Sequence, residues 1–513
     1  MAATWLKDAV FYEIYPQSFY DSNGDGIGDI NGITEKLDYI RSLGCNALWI
    51  NPCYDSPFKD AGYDVRDYRK VAPRYGTNED LYRLFSAAHS KGIHVLLDLV
   101  PGHTSEEHEW FRMSQKAERN EYSDRYIWTD FCFEGADGLP YIGGESERSG
   151  TYVLNFFKCQ PALNYGFLNP VKKWQKSTLD PAATATREAL KDIMRFWLSH
   201  GCDGFRVDMA ASLVKHDDAR KSGTSAIWRD VRRMLELEFP EAAMVSEWSN
   251  PPLALRAGFD MDFYLNGRGN GYSTLLRDYR NGEDHSYFKK DAGGNINRFL
   301  DEYTAWYADT RDCGYISLLT CNHDTQRPSF NLSPEELKLA YAFLFTMPGV
   351  PFLYYGDEIG MKYRDDLPTK EGGYYRTGSR TPMQWDRSAN LGFSAGSADS
   401  LYLPVDDSPQ APTVREQERD PGSLLNAVRA ILNLRHSRED LQADAPFAVI
   451  CSEPDQPFVY RRGALILAVN PSGKALTLRK ELPDAKELFR IGAGSCENGV
   501  LTLGAQSFLV LEP

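Results

Sequence analysis

Polar residues able to transfer protons or attack carbon stand at the ends of four apolar runs in this sequence. These residues are Asp98, at the end of HVLLD, with His103 just after it; Arg206 and Asp208, in GFRVD; Glu247, ending AMVSE; and His323 and Asp324, closing LLTCNHD. Buried carboxylates cost several kcal/mol unless they are compensated, so four such placements fit chance poorly. Where acids converge, one can stay ionised as a nucleophile while another keeps a proton as a general acid, as in glycosidic bond cleavage.

A second polar motif, DSNGDGIGD at residues 21–29, reads like the first half of a calcium loop. Its oxygen ligands, matching positions 1, 3, 5, 7 and 9 of an EF-hand, are Asp21, Asn23, Asp25, the carbonyl of Ile27 and Asp29. Position 12, where an EF-hand has a bidentate Glu, is a glycine, so the motif is not an EF-hand. The residues alone leave two interpretations open, a cation loop and an ordinary Asp/Asn/Gly turn.

The elements that must position these residues alternate between buried strands and amphipathic helices. Eight runs rich in apolar, β-branched and aromatic residues are strand candidates: 10–16, 47–52, 94–100, 204–209, 243–248, 259–265, 315–324 and 351–358. Helical periodicity occurs between most of them, as in Ile33, Leu37, Ile40 and Leu43 before Gly44. Eight such alternations predict a (β/α)8 TIM barrel, whose chemistry lies at the C-terminal ends of the strands.

Two segments fall outside this alternation and predict further domains. About a hundred residues rich in Gly, Ser, Tyr and Glu separate the third and fourth strands, which predicts an inserted domain at 104–177. Short runs at hairpin spacing near the C-terminus predict an antiparallel β-sandwich at 441–513. The barrel then comprises residues 1–103 and 178–440.

Composition narrows the classes of binding partner and the cellular location expected for this protein. The formal charge of −15 disfavours a nucleic-acid backbone or an anionic membrane, because both select for basic surface. The N-terminal residues show no signal peptide, and no stretch approaches the length of a membrane span. The nine cysteines are scattered without CxxC spacing, as is typical of reduced thiols inside a cell, so we expect a cytoplasmic location. Nothing in the sequence indicates the oligomeric state.

Four motifs in order, DLVPGH, GFRVDMAA, VSEW and TCNHD, resemble the signature regions of the α-amylase family, glycoside hydrolase family 13. The resemblance covers the whole chain, including the insertion and the C-terminal sandwich. QPALN, YYGDE and RTPMQWD make it closer to the oligo-1,6-glucosidase and α-glucosidase branch. In that branch a loop spelled like DSNGDGIGD is a structural metal site, which implies calcium, with magnesium as the alternative, and no organic cofactor.

The resemblance implies roles for the polar residues. Asp208 is expected to be the nucleophile that forms a β-glucosyl ester, and Glu247 the general acid and then the base. Asp324 is expected to hold the sugar hydroxyls beside the broken bond. Arg206 lies two residues before Asp208 on the same strand face and should keep it ionised. Asp98 is expected to be structural.

Further substrate contacts follow from the same resemblance. His103 and His323 are expected to donate to sugar hydroxyls, and Tyr63, in DAGYD, to stack on the sugar ring. Asp60 and Arg380 match a pair that closes the end of the first sugar pocket. Such a pair admits only a non-reducing end.

Three departures from the family pattern limit how far the residue roles of the family apply to this sequence. Gly102 stands where an Asn usually precedes the His, which predicts the loss of one hydrogen bond to the neighbouring scaffold. Ala162 replaces a usual Asp of the insertion motif, and Met209 follows the nucleophile where α-1,6 enzymes often have Val and α-1,4 enzymes Ala or Thr. The linkage preference therefore stays open.

The resemblance implies a retaining, exo-acting α-glucosidase that hydrolyses terminal α-glucosidic bonds of short, maltose- or isomaltose-type oligosaccharides. A glucosyl-transferring or isomerising enzyme, similar to trehalose synthases or sucrose isomerases, remains the alternative, because the chemistry up to the ester is the same. The family's non-catalytic transporter partners fit poorly, since they carry a membrane helix and lose the acids.

Overall fold

The computed structural model describes residues 3–267 and 269–513, and at its centre lies a barrel of parallel strands. The strands are β1 (Phe11–Ile14), β2 (Ala47–Ile50), β3 (His94–Leu99), β4 (Gly204–Val207), β5 (Ala243–Ser246), β6 (Met261–Phe263), β7 (Tyr315–Ser317) and β8 (Phe352–Tyr354). They pair in the order β7-β6-β5-β4-β3-β2-β1-β8. Phe352 closes the ring, since its N–H donates to Leu318 O at 2.9 Å and its carbonyl accepts from Thr320 N at 3.0 Å. The eight predicted strands and the barrel are confirmed.

Side chains alternate between the barrel interior and the surrounding helices, as the period of two in a strand requires. One cluster of fully buried apolar side chains fills the interior and includes Phe11, Trp49, Leu96, Phe263 and Phe352. The rings of Phe11 and Phe352 stack with their centroids 4.3 Å apart. A larger cluster, which contains the alternate strand residues, packs against the helices. The interior is therefore a packed core, and the site lies above it.

Helices occupy the connections between the strands. They are Ile30–Glu35 and Leu37–Leu43 after β1, Asn78–Ser90 after β2, Pro181–Ser199 before β4, Ser222–Glu238 after β4, Pro251–Arg256 after β5, Ser273–Leu276 and Asn297–Thr310 after β6, Pro334–Thr346 after β7, and Val414–Arg419 and Leu424–Ser437 after β8. The helical pattern from Ile33 to Leu43 belongs to two helices, with Lys36 between them. Within the described residues, none of these helices combines the length and apolarity needed to cross a bilayer.

The long connection after β3 carries little regular structure. It contains the helix Glu109–Ser114 and the antiparallel strands Tyr141–Gly143 and Thr151–Val153. Two smaller antiparallel pairs, Tyr54–Asp55 with Asp67–Val71 and Tyr279–Arg280 with Glu283–Asp284, lie in other connections of the barrel. The long connection places residues 155–162 against the barrel mouth, as backbone pairing between His103 and Ala162 shows.

The C-terminal region is a β-sandwich, as predicted. One sheet pairs Phe447–Cys451, Phe458–Arg462, Leu465–Asn470, Ser507–Glu512 and Lys486–Ile491, in that order; the other pairs Leu476–Thr477, Val500–Leu503 and Gly494–Glu497. Apolar side chains of both sheets, among them Val459, Ile466, Leu501 and Leu503, form one buried cluster. The residue boundaries assigned to the three domains stay predictions.

Candidate active site

The acids at the strand ends converge because strand residues two apart point to the same side. Leu96 and Val245, two positions before Asp98 and Glu247, face the barrel interior. Phe205 and Val207, on either side of Arg206, face the helices. Asp98, Arg206 and Glu247 therefore project toward the barrel axis, and Asp208 follows in the same alternation. The C-terminal mouth of the barrel thus collects the side chains predicted for catalysis.

Arg206 links three of these carboxylates. Its Nη1 donates to Asp98 Oδ1 at 2.8 Å and to Asp208 Oδ1 at 3.1 Å. Its Nη2 lies 2.9 Å from Glu247 Oε2. The same Oε2 accepts the backbone N–H of Met209 at 2.9 Å. The predicted nucleophile and acid are thus held by one guanidinium, which is 1% exposed.

A layer of neutral hydrogen-bonding groups lies beside this cluster. The Tyr63 hydroxyl bonds to Asp98 Oδ2 at 3.0 Å and to His323 Nε2 at 2.8 Å. The other ring nitrogen of His323 lies 2.9 Å from Glu13 Oε1 and 3.1 Å from Asn51 Nδ2. Burial lowers the pKa of His323 well below its ordinary value, so the ring is neutral at neutral pH.

A small cavity of about 250 Å³ opens onto these groups. It is lined by Asp60, Tyr63, His103, Phe156, Asp208, Met209, Glu247, Asp324, Tyr375 and Arg376. A larger polar cavity of about 1060 Å³ shares Asp324 and Tyr375 with it. The two cavities therefore meet at Asp324, beside the catalytic acids.

The predicted ion pair between Asp60 and Arg380 is wrong in its cationic member. Arg376 Nη2 lies 3.2 Å from Asp60 Oδ1, and its Nη1 lies 2.9 Å from Asp324 Oδ1. Gln160 Nε2 donates to the other Asp60 oxygen at 2.8 Å. Arg380 instead donates to Asp324 Oδ1 at 2.9 Å and, through Nε, to the His323 carbonyl at 2.9 Å. The guanidinium that joins Asp60 to the catalytic cluster is Arg376, because the 3-10 turn Tyr374–Ser379 brings it to the cavity wall.

Opposing effects act on the pKa of Asp208. Burial raises the pKa of Asp208 well above its ordinary value, and the neighbouring Glu247 adds to the shift, whereas Arg206 opposes it. Arg206 thus acts in the predicted direction, although burial outweighs it, and the ionised nucleophile stays a prediction. One positive charge is shared among three carboxylates, so it does not offset burial.

Asp324 is the ionised acid of the site. Burial opposes its charge, yet His323, Arg376 and Arg380 lower the pKa of Asp324 below the ordinary aspartate range. We attribute this effect to the two arginines, since the His323 ring is uncharged at neutral pH. A permanently charged carboxylate beside the cavity suits the predicted role of binding sugar hydroxyls.

His103 has protein partners on both ring nitrogens. Its Nε2 lies 3.1 Å from the Tyr63 carbonyl, and its Nδ1 lies 3.1 Å from Asn155 Nδ2. Burial lowers the pKa of His103 to about 3, so the ring is neutral. A Cβ added to Gly102 would lie 2.6 Å from Asn155 Nδ2, so Asn155 fills the space left by that glycine. The predicted donation from His103 to a sugar hydroxyl stays a prediction.

Comparison with known proteins agrees with this geometry. Residues 13–444 match the family model for the α-amylase catalytic domain. The chain belongs to the α-amylase family, glycoside hydrolase family 13. It is 34% identical over 484 residues to the trehalose synthase/amylase TreS of Mycolicibacterium smegmatis, covering 86% of this chain and 78% of that protein. It is 31% identical over 515 residues to an oligo-1,6-glucosidase of Heyndrickxia coagulans, covering 89% of each.

A solved structure of the same fold is that of the trehalulose synthase MutB from Pseudomonas mesoacidophila MX-45. It superposes with a TM-score of 0.81 at 26% identity and covers 100% of both chains. The family assignment, the barrel and the glycoside hydrolase chemistry expected from the signature motifs are thereby confirmed. These relatives differ in activity, so the family membership leaves the specific reaction to be inferred from the site.

The DSNGDGIGD loop of this family member is a turn rich in its own hydrogen bonds. Asp21 accepts the N–H groups of Gly24 and Gly26, each at 2.7 Å, and the Ser394 hydroxyl at 2.5 Å. Asp29 caps the helix Ile30–Glu35 by accepting Gly32 N at 2.7 Å. The oxygen donors suit a hard cation. Within the described residues, however, no three acidic, His or Cys side chains come close enough to share an ion. The calcium site, including Asn23, Asp25 and the Ile27 carbonyl, stays a prediction.

Chelation separates a metal loop from a plain turn. If calcium binds, EDTA should lower the melting temperature and added calcium should restore it. At a calcium concentration of one hundred times the Kd, binding adds about 2.7 kcal/mol to the free energy of unfolding. Asp25 is exposed and accepts only local backbone bonds, so Asp25→Ala should remove the EDTA effect at little cost to the fold. Asp21→Ala should destabilise the protein with or without calcium, because the Asp21 carboxylate also accepts the Gly24 and Gly26 N–H groups and the Ser394 hydroxyl. An unchanged melting temperature in EDTA would show that the loop is a turn.

Sequence reasoning missed several residues of the site: Glu13, Asn51, Asn155, Gln160 and Arg376. The position of Glu13 could have been predicted, since it lies near the end of β1, two residues after the inward-facing Phe11. The same rule that found Asp98 applies to it. Asn155, Gln160 and Arg376 come from long connections without periodicity, so no spacing pattern places them.

Proposed function

We propose that this protein is a retaining, exo-acting α-glucosidase that releases glucose from the non-reducing ends of short oligosaccharides. The observation that carries the proposal is the single guanidinium of Arg206, which holds Asp208 and Glu247 at the wall of a small cavity. A cavity of about 250 Å³ is on the scale of one sugar residue rather than of a chain. Relatives named as glucosidases support the substrate class.

The chemistry follows from which carboxyl oxygens are held. Asp208 Oδ1 accepts from Arg206, which leaves Oδ2 to attack the anomeric carbon. Within the described residues, Arg206 and the Met209 N–H both contact Glu247 through Oε2, so Oε1 carries the proton for the glycosidic oxygen. The bond to the leaving sugar breaks as the β-glucosyl ester to Asp208 forms. Glu247 then takes a proton from a water molecule as the water oxygen attacks the anomeric carbon and breaks the ester bond.

A glucosyl-transferring or isomerising enzyme is the second candidate, and the larger cavity favours it. This cavity meets the small one at Asp324 and Tyr375, and its wall includes Arg277, Arg280 and Arg298. A sugar released into so polar a space can remain and attack the ester in place of water. The similarity to TreS and to MutB supports this alternative equally.

Product analysis on maltose, isomaltose, sucrose and trehalose tests the proposal. We expect glucose as the main product from at least one of them, released first as the α-anomer, because double displacement retains configuration. Proton NMR in the first minutes of the reaction distinguishes the anomers. A new disaccharide formed without matching free glucose would favour the isomerising alternative. Initial release of β-glucose from sucrose or from an aryl α-glucoside, whose leaving groups are not glucose, would contradict both candidates.

A further inference from the structure

Asn155 of the inserted connection contacts two residues of the cavity wall from behind. Its Nδ2 lies 3.1 Å from His103 Nδ1 and 3.7 Å from the Met209 sulfur. His103 and Met209 both line the small cavity. Gly102 makes this approach feasible, because any Cβ there would lie 2.6 Å from the Asn155 amide nitrogen. Asn155 is therefore packed where its orientation affects the substrate pocket.

A buried lysine lies on the other side of the Asn155 amide. Lys215 is 8% exposed, and its Nζ donates to Asn155 Oδ1 at 2.9 Å and to the Ser212 carbonyl at 2.8 Å. Both acceptors are neutral, so this contact is not an ion pair. Burial lowers the pKa of Lys215 to about 8, with Lys221 adding to the shift, which leaves the amine mostly protonated at neutral pH.

The three groups have only one consistent pattern of donors and acceptors. A protonated lysine only donates, so it must face the amide oxygen of Asn155. The Asn155 NH₂ group then points at His103 Nδ1, which has to accept. The proton of the neutral His103 ring therefore sits on Nε2, where it is donated to the Tyr63 carbonyl at 3.1 Å. If the Asn155 amide were rotated by 180°, its NH₂ group would face the Lys215 ammonium, and both groups are donors.

We propose that Lys215 and Asn155 form a positioning relay that fixes the tautomer and the ring orientation of His103 in the sugar pocket. The relay runs from the Lys215 ammonium through the Asn155 amide and the His103 ring to the backbone of Tyr63. Tyr63 contacts the cluster directly, since its hydroxyl bonds to Asp98. Met209, the residue directly after the nucleophile, contacts the same amide through its sulfur. The relay thus ties the inserted connection to the chemistry of the barrel.

The relay is tested by reading the His103 tautomer in Asn155→Asp. This change preserves shape and gives Lys215 a stronger partner, but it replaces the NH₂ donor with an acceptor. The proton of His103 should then move to Nδ1. Long-range proton–nitrogen NMR on protein labelled with ¹⁵N-histidine distinguishes the tautomers, and His103→Gln assigns the signal among the nine histidines. The wild type should show the Nε2–H form, and Lys215→Met a mixture of both.

Turnover provides a second readout, which rests on the proposed glucosidase function, whereas the NMR readout does not. On an aryl α-glucoside, kcat/KM should fall about 10- to 100-fold in Asn155→Asp, as when a hydrogen-bonded support of a functional group is lost. Asn120→Asp is the matched control: its NH₂ group also donates within the insertion, to Met113 O at 2.8 Å, but none of its hydrogen-bond partners among the described residues lines the small cavity.

The outcomes separate the relay from general destabilisation. A shifted His103 tautomer in Asn155→Asp, with Asn120→Asp unchanged, supports the relay even if no glucoside is turned over. Lys215→Met supplies an independent measurement if Asn155→Asp fails to fold. An unchanged Nε2–H signal in either folded relay variant overturns the proposal, whatever happens to activity.

Discussion

Glu247→Gln should turn over only substrates whose leaving group departs without a proton, and Asp208→Gly should turn over neither these nor natural glucosides. Loss of a general acid costs about 10²- to 10⁴-fold. Loss of the nucleophile removes the covalent route altogether and should cost about 10⁴-fold or more. The measurement is kcat/KM on maltose and on an aryl α-glucoside with a nitrophenol leaving group.

Sodium azide assigns the two roles by product. In Glu247→Gln the glucosyl ester still forms on Asp208, and azide attacks it without needing a base, which yields α-glucosyl azide. In Asp208→Gly azide enters the space of the missing carboxylate and displaces the leaving group directly, which yields β-glucosyl azide. The same anomer from both variants would contradict the assignment of the acids.

The pH profile tests the raised pKa of Asp208. Asp208 must be ionised to attack, so activity should be lost as the pH falls through its raised pKa, well above the ordinary aspartate value of about 3.9. Glu247→Gln removes the carboxyl group that adds to this shift, which should lower the Asp208 pKa and move the acid limb of kcat/KM to lower pH. The aryl glucoside is the substrate for this comparison, because its departure does not require Glu247. An acid limb that stays in place would show that burial alone sets the pKa.

Melting temperatures control for folding in both variants. The Asp208 backbone N–H donates to Leu99 O at 2.8 Å whatever its side chain, so Asp208→Gly should keep the strand end. Removing one carboxylate also relieves repulsion around Arg206. We therefore expect melting temperatures at or above that of the wild type. A large drop would mean that lost activity reflects unfolding.

Residues near strand ends could be placed from the sequence because two local rules fix them. A strand alternates its faces, and a parallel barrel gathers the C-terminal ends of its strands. Asp98, Arg206, Asp208 and Glu247 obey both rules, and the structure brings them together around one guanidinium. Their approximate positions need no knowledge of the loops.

Loop residues could not be placed in this way. Asp60 was expected from its motif, but the choice between Arg376 and Arg380 depends on a 3-10 turn whose path no periodicity reveals. Asn155 fills the space beside Gly102 and contacts His103 from far along the chain. The sign of the Asp208 pKa shift was also out of reach, because it depends first on how deeply the carboxyl is buried and then on the charges around it.

Arg376→Ala should cause the largest loss of efficiency among the arginines of the pocket wall. Arg376 bridges Asp60 and Asp324 and lines the small cavity, whereas Arg380 is absent from that cavity's described lining. Removing it leaves the 3% exposed Asp60 without its cationic partner. Loss of one member of a buried charge pair costs about 2 to 5 kcal/mol, so kcat/KM should fall about 10²-fold or more. Arg387→Ala, which breaks an exposed pair with Glu416, is the control and should change little.

A substrate lacking its terminal 4-hydroxyl shows what Arg376 recognises. We propose that the Asp60 and Arg376 pair binds this hydroxyl and leaves no room for a chain to continue from it, which would make the enzyme exo-acting. A site built for a hydroxyl rejects the analogue without it. The wild type should therefore lose most of its efficiency on a 4-deoxy aryl α-glucoside, while Arg376→Ala should barely distinguish the two substrates. If Arg376→Ala keeps the full preference for the hydroxyl, or if soluble starch loses viscosity without matching glucose release, the pair does not close the pocket.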